Sequence, residues 1–311
     1  MTAWGILGAG EYSIQHILPA LNAEAPIVGV ASRSAERSSS ISSRLGLDIE
    51  PTSYDQLINS TEVSHIYVGA PTALHLELTL RALDAGKFVL CEKPFALSSA
   101  EAQMALNHPA AVTKLRVGWM YQHHPRWRRF ESLLNEGAIG EPHSIYFHYS
   151  YRDDGKNLNR QSVSLGGGAL ALVGCYGVHM GQSIFGGVAN SGMSFRQPED
   201  PKAVDNRTSA ILTFTTGVAH IEADLDADAG QLLVVCGQEG RMTLDVPVNA
   251  QPDSATEIII HRGEKTFVEA IRPADQFLLQ ARACIQGDAL SRDQLERDTL
   301  GHSQCLERLR K

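Results

Sequence analysis

Ala3-Trp4-Gly5-Ile6-Leu7-Gly8-Ala9-Gly10 decides the fold. A short apolar run ending in Gly-x-Gly reads as a buried strand entering a tight turn. Beyond the turn, Ile14, Ile17, Leu18 and Leu21 fall at helical spacing, so the order is strand, glycine turn, helix. That order gives the glycines a chemical meaning. They let the backbone approach a pyrophosphate, while the helix start offers free N–H groups and the positive end of its dipole. Gly8 and Gly10 are expected to cradle a dinucleotide, with Glu11 and Tyr12 beside them. Ser13 stands where the fingerprint has its third glycine, and its small size keeps helix and strand close. Glu11 is the odd residue, because a carboxylate near a phosphate is unfavourable unless it points into water.

The next apolar run, 27–31, ends in Ser32-Arg33-Ser34. An acidic residue at this point would bind the ribose 2′-hydroxyl of NAD. Here a hydroxyl and a guanidinium stand instead, with Arg37 one turn on, a set that favours the 2′-phosphate of NADP while leaving NAD possible. Alternation continues with a helix at 53–59, a strand at 64–69, a helix at 74–85, strand Phe88-Val89-Leu90-Cys91, a helix at 98–106 and a strand at 114–118. Repeated βα units with short links imply a parallel, doubly wound sheet with right-handed crossovers.

Ligands of such sheets bind outside the carboxyl ends of the strands. Two segments stand there. Pro71, Thr72 and His75 follow the 64–69 strand and are placed to flank a nicotinamide, with helix-start packing an equal alternative for His75. Glu92-Lys93-Pro94 closes the 88–91 strand, where the proline ends the ladder and a cis bond before it would turn the charged pair toward the cleft.

The chain has 311 residues, a length that suggests two domains, drawn at 1–118 for dinucleotide binding and 119–311 for substrate binding and oligomerisation. Its net charge of −8 argues against a nucleic-acid surface. Neither a membrane span nor a secretory leader is expected. The five scattered cysteines include no Cys-x-x-Cys pair and fit reduced thiols in a cytoplasm. Metal is not expected either: adjacent His123 and His124 point apart, with no third ligand at a diagnostic spacing.

In the second half, alternation over 143–151 puts Ile145, Phe147 and Tyr149 on one strand face and Tyr146, His148 and Ser150 on the other. The long loop 152–168 carries Arg152, Lys156 and Arg160, which suit either a ligand phosphate or a solvated face. Gly166-Gly167-Gly168 then opens a helix bearing Tyr176 and His179 at i and i+3, hence on one face. Tyr176 can supply the proton that accompanies hydride delivery to a carbonyl, provided a cation such as Lys93 stabilises its phenolate. His179 is either its assistant or a core histidine. Strands follow near 193–196, 207–215, 218–223, 231–237 and 256–261, then helices at 274–286 and 298–310. An open sheet with helices on one face would leave apolar area on the other, so a homodimer or homotetramer through this sheet is expected.

The ordered set of Gly8 to Gly10, Ala70-Pro71-Thr72 with His75, Glu92-Lys93-Pro94 and Gly166-Gly167-Gly168-Ala169-Leu170 resembles the Gfo/Idh/MocA family, named for glucose–fructose oxidoreductase and inositol dehydrogenase. The resemblance implies a Rossmann domain followed by an α+β domain with an open-faced, mostly antiparallel sheet. It also implies hydride transfer between a nicotinamide and a hydroxyl- or carbonyl-bearing carbon, commonly of a sugar or polyol. Lys93 matches the family's catalytic or substrate-orienting lysine. Tyr176 matches a tyrosine found in members similar to dihydrodiol dehydrogenase. One departure stands out. The family commonly has an aspartate four residues before this tyrosine, and here the residue is Leu172. Either the substrate differs from that of the polyol dehydrogenases, or catalysis is weakened, the extreme being a non-catalytic NADP-binding sensor.

Overall fold

A computed structural model describes residues 2–155, 157, 159–198, 203–287 and 290–310. The chain forms two compact units, Met1–Trp119 with Phe277–Leu300, and Met120–Gln276 with Gly301–Lys311. A single cut at 118/119 therefore misplaces residues 277–300. They pack on the first unit because Ala281 and Cys284 join Trp4, Ile17, Leu18 and Tyr67 in one buried cluster.

In the first unit, β1 (Trp4–Leu7), β2 (Ile27–Ala31), β3 (His65–Val68), β4 (Phe88–Cys91) and β5 (Leu115–Val117) form an all-parallel sheet in the order β2-β1-β3-β4-β5. Helices α1 (Leu18–Glu24), α2 (Ala35–Arg44), α3 (Tyr54–Asn59), α4 (His75–Asp84), α5 (Ser99–Leu106) and α6 (Ala111–Lys114) connect them, and α9 (Gln276–Gln286) and α10 (Arg292–Glu296) return later in the chain. The helices begin where the side chains dictate. Ser34, Ser53 and Ser98 each accept a backbone N–H from the first turn of the helix that follows, satisfying a donor the helix itself cannot. Strand order reverses between β1 and β3, so the turns after these two strands lie at the switch point where such sheets bind ligands.

The second unit is built on an eight-stranded sheet, β13-β12-β11-β10-β6-β9-β8-β7. Its strands are β6 (Pro142–Arg152), β7 (Ser191–Gln197), β8 (Arg207–Thr213), β9 (Val218–Asp224), β10 (Asp226–Gly237), β11 (Gly240–Asp245), β12 (Thr256–Arg262) and β13 (Lys265–Ile271). All neighbours are antiparallel except β6 and β9. Sequence patterning overlooked β11 and β13, the second arms of tight hairpins whose partners are β10 and β12. Register aligns Leu212, Ala219, Ile145, Val235, Met242 and Ile260 across one face, all buried. Helices α7 (Pro125–Asn135), α8 (Cys175–Phe185) and α11 (His302–Arg310) complete the unit. The apolar stretch Val163–Phe185, of a length the sequence pattern did not show, contains an 18-residue window of mean hydropathy 1.4, but 72% of that window is buried, as in a core helix.

Candidate active site

In the first unit, β1 delivers the glycine turn. Gly8 has φ +73°, and a Cβ there would lie 3.1 Å from the Ala70 backbone, so the turn needs glycine. A Cβ on Gly10 would meet nothing within 4 Å, which leaves its backbone open to a ligand. Arg37 donates from Nη2 to the Ala9 carbonyl at 3.1 Å, fastening α2 to this turn, while Ser32 is half-buried and Arg33 exposed. An accessible glycine backbone, a helix start and two guanidiniums fit the pyrophosphate and 2′-phosphate of a dinucleotide.

Glu11 is accommodated by Arg44, whose guanidinium donates to both carboxylate oxygens at 2.7 and 2.5 Å. Gln15 adds a third hydrogen bond at 2.7 Å. The Arg44 bonds lead in holding the Glu11 carboxyl down to about 2. Half-buried Tyr12 packs edge-on against Phe277, 6.0 Å between ring centroids.

Lys93 stands half-buried just past the end of β4, and the Lys93–Pro94 bond is cis. Beside it, Glu92 accepts the Lys93 backbone N–H at 3.3 Å and the Tyr67 hydroxyl at 3.1 Å. Burial pushes the Glu92 carboxyl up, opposed by the Lys93 charge and the Tyr67 bond. Thr72 is buried and Pro71 half-buried where the chain enters α4.

His75, whose position suits either a nicotinamide contact or packing at the helix start, is packed in place. Its ring is buried, with Nδ1 3.0 Å from the Pro94 carbonyl and Nε2 2.8 Å from the Ala70 carbonyl. Two carbonyl acceptors call for two N–H groups, whereas burial, the larger influence, lowers the imidazole pKa. The ring spans the end of β3 and the Glu92-Lys93-Pro94 turn, and both nitrogens are engaged.

In the second unit, a five-residue π turn, Leu170–Gly174, runs into α8. Asp205 fixes its start: its Oδ2 accepts the Leu170 N–H at 2.7 Å and the Thr208 hydroxyl at 2.5 Å, and its carbonyl accepts the Ala169 N–H at 2.6 Å. Gly168 has φ +104°, and a Cβ there would fall 2.2 Å from Asp205 Oδ1. On α8, Tyr176 is buried with its hydroxyl 3.5 Å from Met120 Sδ and its ring 6.2 Å from that of Tyr121. His179 is fully buried, and its Nδ1 lies 2.7 Å from the Tyr121 hydroxyl. The i, i+3 spacing thus brings Tyr176 and His179 to one aromatic neighbour, Tyr121. Leu172 is half-buried within the π turn. In the long loop, Arg160 pairs with Asp153 at 3.2 Å, exposed Arg152 lies 3.6 Å from Asp226, and Lys156 falls outside the described residues. No cluster of three His, Cys, Asp or Glu side chains suited to a metal occurs among the described residues.

Patterning did not single out Tyr67, Arg44, Tyr121 or Asp205. Each acts through a contact distant in sequence. Only the glycine at 168 hinted that another group approaches closely there.

A parallel sheet with a glycine turn at its switch point and a lysine closing β4 defines a nicotinamide-dinucleotide oxidoreductase fold. Two family models match the chain. One is the oxidoreductase family, NAD-binding Rossmann fold, over residues 2–118, and the other the GFO/IDH/MocA C-terminal domain over residues 127–243. The chain belongs to the Gfo/Idh/MocA oxidoreductase family. It is similar to dTDP-3,4-didehydro-2,6-dideoxy-alpha-D-glucose 3-reductase of Actinomadura kijaniata, with 28% identity over 91% of this chain and 86% of the relative. It is also similar to trans-1,2-dihydrobenzene-1,2-diol dehydrogenase of Xenopus tropicalis, with 27% identity over 86% of this chain and 81% of the relative. Among solved structures, KijD10, a 3-ketoreductase from Actinomadura kijaniata in complex with NADP and TDP-benzene, superposes with a TM-score of 0.88. The identity is 25%, covering 99% of this chain and 97% of that one.

Proposed function

We propose that the protein is an NADP-dependent reductase or dehydrogenase acting on a carbonyl or hydroxyl carbon of a sugar or related small molecule. The observation that carries this reading is Lys93, a cation closing β4 of a sheet whose first turn is an open glycine cradle. Related proteins named as a ketosugar reductase and a dihydrodiol dehydrogenase support the reaction class, and the NADP complex of KijD10 supports the cofactor. Ser32, Arg33 and Arg37, with no acid after β2, support the 2′-phosphate form.

Gly8, Gly10 and the N–H groups of the following helix would hold the pyrophosphate. When bound, the nicotinamide supplies or accepts the hydride. Lys93 holds the substrate oxygen and stabilises the negative charge that develops on it. Tyr176 is the acid/base of this reading, proton donor in reduction and acceptor in oxidation, while His179 acts on Tyr176 indirectly, by fixing Tyr121. Leu172 offers no hydrogen bond to a substrate hydroxyl, which suits a substrate less hydroxylated than a polyol.

The test is consumption of NADPH, and separately NADH, with a panel of ketosugars, dicarbonyls and cyclic ketones. Turnover with NADPH is expected, falling at least ~100-fold in Lys93→Ala and in Tyr176→Phe. Tight NADPH binding with no turnover on any carbonyl would sink the enzyme and leave a sensor. Full activity in either variant would remove that residue from the chemistry.

A further inference from the structure

Tyr67 is fully buried in β3, and its hydroxyl meets two groups at once. Ser13 Oγ lies 2.8 Å away and Glu92 Oε1 3.1 Å away. Ser13 belongs to the π turn that opens the glycine-turn helix, whereas Glu92 accepts the Lys93 N–H through its other oxygen. We propose that Tyr67 is a positioning residue whose hydroxyl ties the glycine-turn helix to the Glu92-Lys93 turn, setting the nicotinamide end of the cofactor site. The proposal rests on the reading of this unit as a dinucleotide cradle and adds to it a residue and a mechanism of alignment.

The backbone leaves space for this link. A Cβ on Gly69 would come 2.5 Å from Tyr67 Cε1, and one on Gly118 would come 3.0 Å from Glu92 Oε1. Glycines at the ends of β3 and β5 thus make the room that the phenol and the carboxylate occupy. The phenol proton is shared between two acceptors, Ser13 Oγ and Glu92 Oε1, so one hydroxyl holds both segments. Burial keeps the phenol itself neutral, well above the ordinary range. A third glycine in place of Ser13 would take one of these two acceptors from the buried hydroxyl, which gives the fingerprint departure a physical reason. A tyrosine kept only for bulk would need neither partner.

The experiment titrates NADPH and 2′-phospho-ADP-ribose, which lacks only the nicotinamide, into wild type, Tyr67→Phe, Ser13→Ala and the double variant. Thermal melts report folding. Tyr67→Phe is expected to weaken NADPH about five-fold, the scale of one buried hydrogen bond, and to leave 2′-phospho-ADP-ribose within about two-fold. The double variant should bind NADPH no more weakly than Tyr67→Phe, because Ser13 acts through the phenol. Unchanged NADPH affinity, equal loss for both ligands, or additive losses in the double variant would each overturn the proposal while the cofactor reading stands. If Tyr67→Phe does not fold, Ser13→Ala decides by the same split between ligands. Wild type that binds neither ligand overturns the cofactor reading, and this proposal with it.

Discussion

A carboxylate one residue past Gly10 is tolerated because Arg44 spends its charge on it, from 33 residues along the chain. Glu11→Ala removes a negative charge from beside the expected phosphates and releases a guanidinium near them. NADPH should then bind about two- to five-fold tighter at low salt, with the gain shrinking as ionic strength rises. The pair is exposed, so the melting temperature should barely move. An affinity indifferent to both the substitution and salt would place the phosphates elsewhere. Single residues were legible in kind but not in role. Glu11 was recognisable as a misfit, yet nothing local pointed to Arg44. His75 carried a site-like position, and only its two carbonyl partners show that it braces the lysine turn.

Helix α8 illustrates what an element requires beyond its own residues. Its apolar composition and triple glycine announce a helix, but the sheet-facing side is made of small residues. A Cβ on Gly177 would come 2.5 Å from the Phe147 ring, and one on Gly181 3.2 Å from the Ala219 Cβ, so the helix lies close on β6 and β9. Its start depends on Asp205, a residue 35 positions from the Leu170 N–H it receives. Asp205→Ala strands that N–H and the Thr208 hydroxyl, both buried. A loss of about 2–3 kcal/mol is expected, read by denaturant melts of the whole chain. If Asp205→Ala melts like wild type, the cap is dispensable. The π turn could not be read from sequence, because helical periodicity over five residues does not separate 3.6 residues per turn from a wider coil.

For the whole molecule, the second sheet poses the question of its uncovered face. Register aligns Met193, Ile211, His220, Tyr146, Val234, Thr243, Ile259 and Val268 in one row across all eight strands. Met193 is 68% exposed, neighbouring Phe195 54% and Tyr146 49%. We propose that a second copy of the chain covers this face, since a broad apolar sheet surface left in water favours association. Light scattering should give a dimer or tetramer, and Met193→Asp combined with Phe195→Asp should shift it to monomer with an unchanged fold. A monomeric wild type, or an assembly indifferent to the two charges, would rule this face out.

Local chemistry sufficed wherever one chain segment acts alone. Glycine turns, apolar strands and serine caps act over a few residues, so the parallel unit, the glycine cradle and the position of Lys93 at a strand end could be read directly. Only the folded chain decided which residues meet. The return of 277–300 to the first unit, the Arg44 answer to Glu11, the Tyr67 bridge and the Asp205 cap all join groups far apart in sequence. Burial and hydrogen-bond satisfaction select such partners only after the backbone has brought them within about 3 Å.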